Sequence, residues 1–142
     1  MIGIKNRQSA VNDAPIIFSD TLAAGASKTY KAQLTGNGHV KKLIINFATG
    51  ENGTLHIRPY VIWNGNIIKE LLHYADGSAH YIAGDGVKFE FDDYTPIEAN
   101  CYLCVDAANS GVGASAVDVV AIVEYEDRMI ESTIIGSKGG NY

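Results

Sequence analysis

The stretch "VDVVAIVEYED", Val117–Asp127, decides the fold class. Val117, Val119, Ala121, Val123 and Tyr125 form one alternating set, and Asp118, Val120, Ile122 and Glu124 form the other. That period of two is the signature of a β-strand, whose successive side chains point to opposite faces. "VKKLIINFAT" repeats it, with Leu43, Ile45 and Phe47 on one face and Ile44 and Asn46 on the other. Both strands are apolar on part of the second face as well. Such strands lie in the middle of a packed sandwich, or have their outer faces covered by another subunit.

The same reading extends in both directions. "SKTYKAQL" (Ser27–Leu34) is followed by the turn residues "TGNG". "TLHIRPYVIW" sends Leu55, Ile57, Val61 and Trp63 inward and His56, Arg58, Tyr60 and Ile62 outward or toward a neighbour. Pro59 has no N–H to donate, which predicts an edge strand or a bulge at that point. "NGN" (Asn64–Asn66) is a hairpin signal. "IIKELLHY" after it reads as a strand, although Ile67, Ile68, Leu71 and Leu72 also fit one face of a short helix. "VKFEFDD" puts Val87, Phe89 and Phe91 inward against Lys88, Glu90 and Asp92.

About eight short strands at near-regular spacing, with no convincing helix, predict an all-β chain: an antiparallel β-sandwich, jelly-roll-like, with extended terminal arms. The expected division is an N-terminal arm over 1–14, the sandwich over 15–127 and a C-terminal tail over 128–142. The tail carries the apolar "MIESTII", whose Met129, Ile130, Ile134 and Ile135 are candidate interface residues.

At 142 residues the chain is expected to be one domain with a core large enough to need no disulfide staples. Its net charge of −5, from 11 Lys plus Arg against 16 Asp plus Glu, lacks the electrostatic footprint of a nucleic-acid binder. Lys28, Lys31, Lys41 and Lys42 read as solvated strand faces. Asp13, Pro15 and Asp20 interrupt the only early apolar segment, so no signal peptide is expected, and no apolar run reaches transmembrane length. No membrane partner is expected.

The two cysteines form a C-x-x-C in "ANCYLCVDAANSG". On a strand, Cys101 and Cys104 project to opposite faces, which disfavours a shared metal ion or a disulfide. They read as packing, Cys101 as a small buried hydrophobe. For catalysis there is no G-x-S-x-G, and the carboxylates Glu90 and Asp92 alternate outward like ordinary surface charges. No enzyme activity, cofactor or metal is expected. Asp76, Asp85, Asp92 and Asp93 lie in loop-rich segments but fit no EF-hand spacing and first of all form turns. His73 and His80 are placed to meet across a hairpin as a titrating pair.

Carbohydrate binding asks for aromatics on a sheet face or at loop tips. Trp63 falls on the inward set. Tyr30, Tyr60, Tyr74, Tyr81, Tyr94 and Tyr102 are the candidates for exposure, and Tyr60 and Tyr102 hold comparable outward positions. Tyr30, Tyr60 and Tyr102 are therefore candidate contacts for a glycan or a protein, since tyrosines also dominate protein interfaces.

Taken together, "SKTYKAQLTGNGHVKKLIINFATGENGTLHIRPYVI", "YIAGDGVKFEFDDYTPIEANCYLCVDAANS" and "VDVVAIVEYED" resemble small all-β structural proteins of tailed bacteriophages and prophages, of the capsid decoration or tail-associated type. The resemblance lies in strand layout and turns and carries no site residues over. It implies a non-enzymatic module that forms symmetric homo-oligomers, a trimer being favoured, with arms contacting other virion proteins. The location it implies is the virion or the bacterial cytoplasm. The second reading is a carbohydrate-binding β-sandwich whose exposed tyrosines hold a glycan.

Overall fold

The computed structural model describes residues 11–63, 67–77 and 79–126. Among them are nine strands: β1 (Val11–Leu22), β2 (Ser27–Gln33), β3 (Gly38–Phe47), β4 (Leu55–Trp63), β5 (Ile67–Glu70), β6 (Val87–Asp92), β7 (Pro96–Ile97), β8 (Tyr102–Asn109) and β9 (Ser115–Glu126). They form two antiparallel sheets, one in the order β1-β9-β3-β6 with β7 paired to β3, the other in the order β2-β8-β4-β5. Leaving aside the two-residue β7, eight strands shared in this way between two sheets are a jelly roll. Among the described residues none is helical, so none of them forms a helix long and apolar enough to cross a membrane.

The core lies between the sheets and is built from the inward sets read in the sequence. Leu43, Ile45 and Phe47 of β3 meet Val117, Val119, Ala121 and Val123 of β9, facing Leu55, Ile57 and Val61 of β4 and Leu103, Val105 and Ala107 of β8. Each fully buried Leu, Ile or Phe contributes roughly 1.5–3 kcal/mol, so the sandwich is held by its own side chains. Cys101 and Cys104 are both buried and free, Cys101 in this core and Cys104 outside it.

Two strands differ from expectation. β1 begins at Val11, inside the stretch read as an arm, and pairs with β9 along its whole length. Asp13, Pro15 and Asp20 hide it in the sequence, yet Ile16, Phe18 and Leu22 keep the period of two and pack inward. β4 is neither an edge nor bulged at Pro59. It pairs with β8 in unbroken register from Leu55 to Ile62, and with β5 on its other side. Proline is tolerated there because β5 ends at Glu70: the Leu71 N–H donates to the Pro59 carbonyl at 3.2 Å, and the pairing stops where a return donor would be needed. The segment after "NGN" is a strand, as its turn predicts, and pairs back on β4 from Trp63↔Ile67 onward.

β3 carries a register shift between Val40 and Lys42, with Lys41 as the extra residue. The strand starts at Gly38 because the backbones touch: a Cβ there would lie 1.9 Å from the Glu124 carbonyl oxygen. At the opposite end the buried Asn109 ties the β1–β2 and β8–β9 loops together. Its Nδ2 donates to the carbonyls of Leu22, Ala23 and Gly113 at 3.1, 3.3 and 2.9 Å, and its Oδ1 accepts from the Gly111 N–H at 2.9 Å.

Candidate functional site

The outer face of the β1-β9-β3-β6 sheet carries an apolar patch. Cross-strand register aligns Ile17, Val120 and Ile44 in one row and Pro15, Ile122 and Lys42 in the next. Ile17 is 63% exposed, and the other apolar members of the patch are half-buried or exposed. Charges of both signs fringe it and are paired among themselves. Lys41 Nζ lies 2.9 Å from Asp13 Oδ2 and 3.8 Å from Glu124 Oε1, and Lys42 Nζ lies 3.7 Å from Glu90 and 3.9 Å from Asp92. Beyond them the His39 and Tyr94 rings stack at 4.3 Å.

The outer face of the β2-β8-β4-β5 sheet is polar and tightly bonded. Register sets Thr29, Asp106 and Arg58 side by side on three strands, and Lys31, Cys104, Tyr60 and Glu70 on four. Asp106 accepts from Thr29 Oγ1 at 2.8 Å, from the Tyr60 hydroxyl at 2.9 Å and from Arg58 Nη1 at 3.2 Å. Arg58 also donates from Nε to Glu70 Oε1 at 3.0 Å and from Nη2 to Glu70 Oε2. Glu70 holds the Arg58 guanidinium in its charged form. Burial, then the bond to Asp106, pushes the Tyr60 phenol far above its ordinary range. Burial likewise raises the Cys104 thiol, which makes it a poor nucleophile.

Beside this network opens a cavity of about 440 Å³ lined by Lys28, Thr29, His56, Arg58, Tyr81 and Asp106, with Ser27, Ala107 and Ala108. One wall comes from the crossing between β5 and β6. Ile82 bridges Ile57 there through a reciprocal pair of backbone hydrogen bonds of 2.9 and 2.8 Å, which brings the Tyr81 ring onto His56 at 4.2 Å. Tyr74 lies 6.0 Å from Tyr81, and His73 meets His80 edge-on at 5.1 Å as the hairpin reading expected.

A second cavity, of about 410 Å³, lies at the loop end between residues 48–54 and 111–116. Glu51, 7% exposed, lines it, and neither carboxylate oxygen has a hydrogen bond of normal geometry to a described residue. Burial raises its pKa, the backbone amides of Ala116 and Ala48 only partly offset this, and the Asp85 carboxylate adds to it. No group of three or more His, Cys, Asp or Glu side chains that could hold a metal ion occurs among the described residues. Asp93 instead accepts from the backbone of Tyr94 and Thr95, and Asp85 from Gly50, as turn residues do.

The three tyrosines singled out in the sequence do not make one platform. Tyr60 stands on the outward side, but its ring is only 6% exposed, a correction to its reading as exposed; the Arg58 guanidinium covers it at 4.5 Å. Tyr102 is half-buried on the same face with Lys31 over its ring at 5.4 Å. Tyr30 packs against the core and donates its hydroxyl to Asp20 Oδ2 at 2.7 Å, which lowers the Asp20 pKa; burial, then Asp20, pushes the phenol up to about 12. Met129, Ile130, Ile134 and Ile135 lie outside the described residues. Arg58 and His56 were visible in the sequence only as outward strand positions, and Asp106 was not singled out. Their convergence depends on pairings between distant strands.

No protein-family model matches the sequence, and no curated protein matches it. Among solved structures, the chain is similar to a mitogen derived from Yersinia pseudotuberculosis, with 12% identity and a TM-score of 0.50 over 79% of this chain and 87% of that one. It is also similar to the protein of infectious bursal virus derived T=1 particles, at 14% identity and a TM-score of 0.50. That match covers 83% of this chain but 32% of the viral one. CBM32-1 from a family 31 glycoside hydrolase of Clostridium perfringens is 15% identical, with a TM-score of 0.46 over 75% of each chain. At such identities the likeness to the mitogen and to the viral protein shows the all-β sandwich fold alone.

Proposed function

We propose that this chain is a structural, non-catalytic jelly roll that assembles with copies of itself, as a phage virion component of the decoration or tail-associated type. The observation that carries the reading is the apolar patch of Pro15, Ile17, Ile44, Val120 and Ile122 on the outer face of one sheet. An apolar group spanning three strands, with Val120 and Ile122 in the middle and Ile17 its most exposed member, is what a subunit contact would remove from water.

A second copy is the occupant the surface favours. Lys41 and Lys42 on the fringe are already paired with carboxylates of the same protomer, so the face offers no free cation to a strongly acidic partner. A patch fringed by both signs is complementary to itself under a two-fold axis. Addition of a strand at the β1 edge is less suited, because Asp13, Pro15 and Asp20 sit along that strand. The tail residues Met129, Ile130, Ile134 and Ile135 follow β9 directly in sequence and would extend the contact onto the neighbour. The likeness of fold to the protein of infectious bursal virus derived T=1 particles is compatible with this role.

Light scattering on the eluting full chain tests the reading. The expected molar mass is a multiple of the 15.2 kDa protomer, falling to the protomer for Ile17→Lys. A full chain that stays monomeric at every concentration would overturn it, as would an oligomer indifferent to both Ile17→Lys and Val120→Lys.

A further inference from the structure

We propose that the cavity on the outer face of the β2-β8-β4-β5 sheet is a binding site for a neutral saccharide, with Tyr81 and His56 as its stacking wall and Thr29, Ser27 and Arg58 as its polar contacts. The site lies on the sheet opposite the assembly face, so either proposal can fail without the other.

Size and shape come first. A cavity of about 440 Å³ falls within the roughly 300–1,000 Å³ usual for small-molecule sites. Its floor runs along β8, where Ala108 presents only a methyl and the side chain of Ala107 turns into the core, and one wall is aromatic. The ring of Tyr81 is fixed from two directions, by the Ile57–Ile82 backbone bridge beside it and by the His56 ring stacked on it at 4.2 Å with an interplanar angle of 9°. Exposed Tyr74, tilted 43° to Tyr81, continues the aromatic surface outward. A fixed ring presented at the side of a polar cavity suits a molecule that is apolar on one face and hydroxylated at its edges.

Charge then selects among such molecules. Both cations lining the cavity are committed within the protein: Lys28 to Asp20 at 3.3 Å, and Arg58 to Glu70 and Asp106. Two cations against three carboxylates leave no excess positive charge for an anionic ligand. Asp106 already accepts three hydrogen bonds, so no bare carboxylate awaits a cation either. Hydrogen-bonding capacity nevertheless remains. A guanidinium carries five N–H donors and three of those on Arg58 are used; the Thr29 hydroxyl donates to Asp106 and keeps its lone pairs; the Ser27 and Tyr81 hydroxyls bond to no other described residue. Uncharged donors and acceptors beside an aromatic wall match a pyranose ring, whose hydroxyls supply both roles and whose C–H face stacks.

The test is saturation-transfer difference spectroscopy on the full chain, which works whatever its oligomeric state. The probes are the methyl pyranosides of glucose, galactose, mannose and N-acetylglucosamine, with methyl glucuronide as the anionic comparison. The expected result is transfer to the C–H protons of at least one neutral pyranoside. Tyr81→Ala should weaken its binding by about tenfold or more, the loss of one stacking contact of about 1.4 kcal/mol. Ala108→Trp, which fills the cavity from an exposed position, should abolish it even if the Tyr81 variant folds poorly, whereas Ile17→Lys should leave it intact. No transfer to any neutral probe, transfer that survives both cavity variants, or stronger transfer to the glucuronide would each overturn the proposal.

Discussion

Arg58 on β4 and Glu70 on β5 are diagonal neighbours on one sheet face and are joined by two parallel hydrogen bonds, Nε to Oε1 at 3.0 Å and Nη2 to Oε2. The pair anchors the short strand β5 to the sheet while Asp106 holds the same guanidinium from β8. Only the planar fork of arginine can serve both carboxylates at once. Arg58→Lys is therefore expected to lower stability by about 1–2 kcal/mol, read as a lower urea midpoint at unchanged m-value. The same change should loosen the wall of the neighbouring cavity, seen as faster amide exchange at Ile67–Glu70.

Tyr60→Phe removes one of the three donors on Asp106 and leaves the other two. A loss of about 1 kcal/mol is expected, since Asp106 stays half-buried with Thr29 and Arg58 still in place. Cys104, beneath this network, and Cys101, in the core, should resist a thiol reagent in the native state and both react once the chain is unfolded.

Asn109→Asp exchanges the two amide donors for acceptors facing the carbonyls of Leu22, Ala23 and Gly113. Loss of those bonds and repulsion among buried oxygens should cost about 2–4 kcal/mol. Asn109→Ala, which leaves the carbonyls unpaired without adding charge, should cost less, about 1–3 kcal/mol. Equal midpoints for the two variants in thermal unfolding would show that the side chain does not pin the loops.

Glu51 makes stability depend on pH in a stated direction. Its folded-state pKa lies above the unfolded value because burial disfavours the charged form. Between the two values the folded chain holds a proton that the unfolded chain has released, so stability falls as pH rises through that interval. Glu51→Gln removes the penalty. The variant should be more stable than the parent at neutral pH and match it below about pH 4, near the ordinary glutamate pKa. A variant less stable than the parent at neutral pH would mean that the carboxylate is used in its ionised form.

The inward half of the fold was legible because it needs only local information. Leu43, Ile45 and Phe47, or Val117 through Tyr125, alternate whatever strand lies beside them. β1 was not, because Asp13, Pro15 and Asp20 mask a period carried by Ile16, Phe18 and Leu22. Pro59 misled for a related reason: whether a missing N–H matters depends on where the neighbouring strand stops, and the end of β5 at Glu70 is not written in the residues around Pro59. The site was less legible still. Outward parity placed Tyr60 correctly, but its burial comes from Arg58 two residues away. Tyr81 reaches His56 only because Ile82 pairs with Ile57, a contact between distant parts of the chain. The patch around Ile17 needed the β1–β9–β3 register, although Val120, Ile122 and Ile44 had already marked the outer faces of two strands as unusually apolar.

The most direct measurement of the assembly face is the electron–electron distance between spin labels in the assembled protein, which selective labelling allows because Cys101 and Cys104 are buried. One sample carries the label at Ser19→Cys, exposed beside the apolar patch, and the other at Gln33→Cys, exposed on the opposite sheet. Contact through the patch predicts a short intermolecular distance at Ser19 and a much longer one at Gln33, since two stacked sandwiches, each with sheets roughly 10 Å apart, separate the outer labels. No intermolecular coupling at Ser19, or a shorter distance at Gln33 than at Ser19, would contradict assembly through this face.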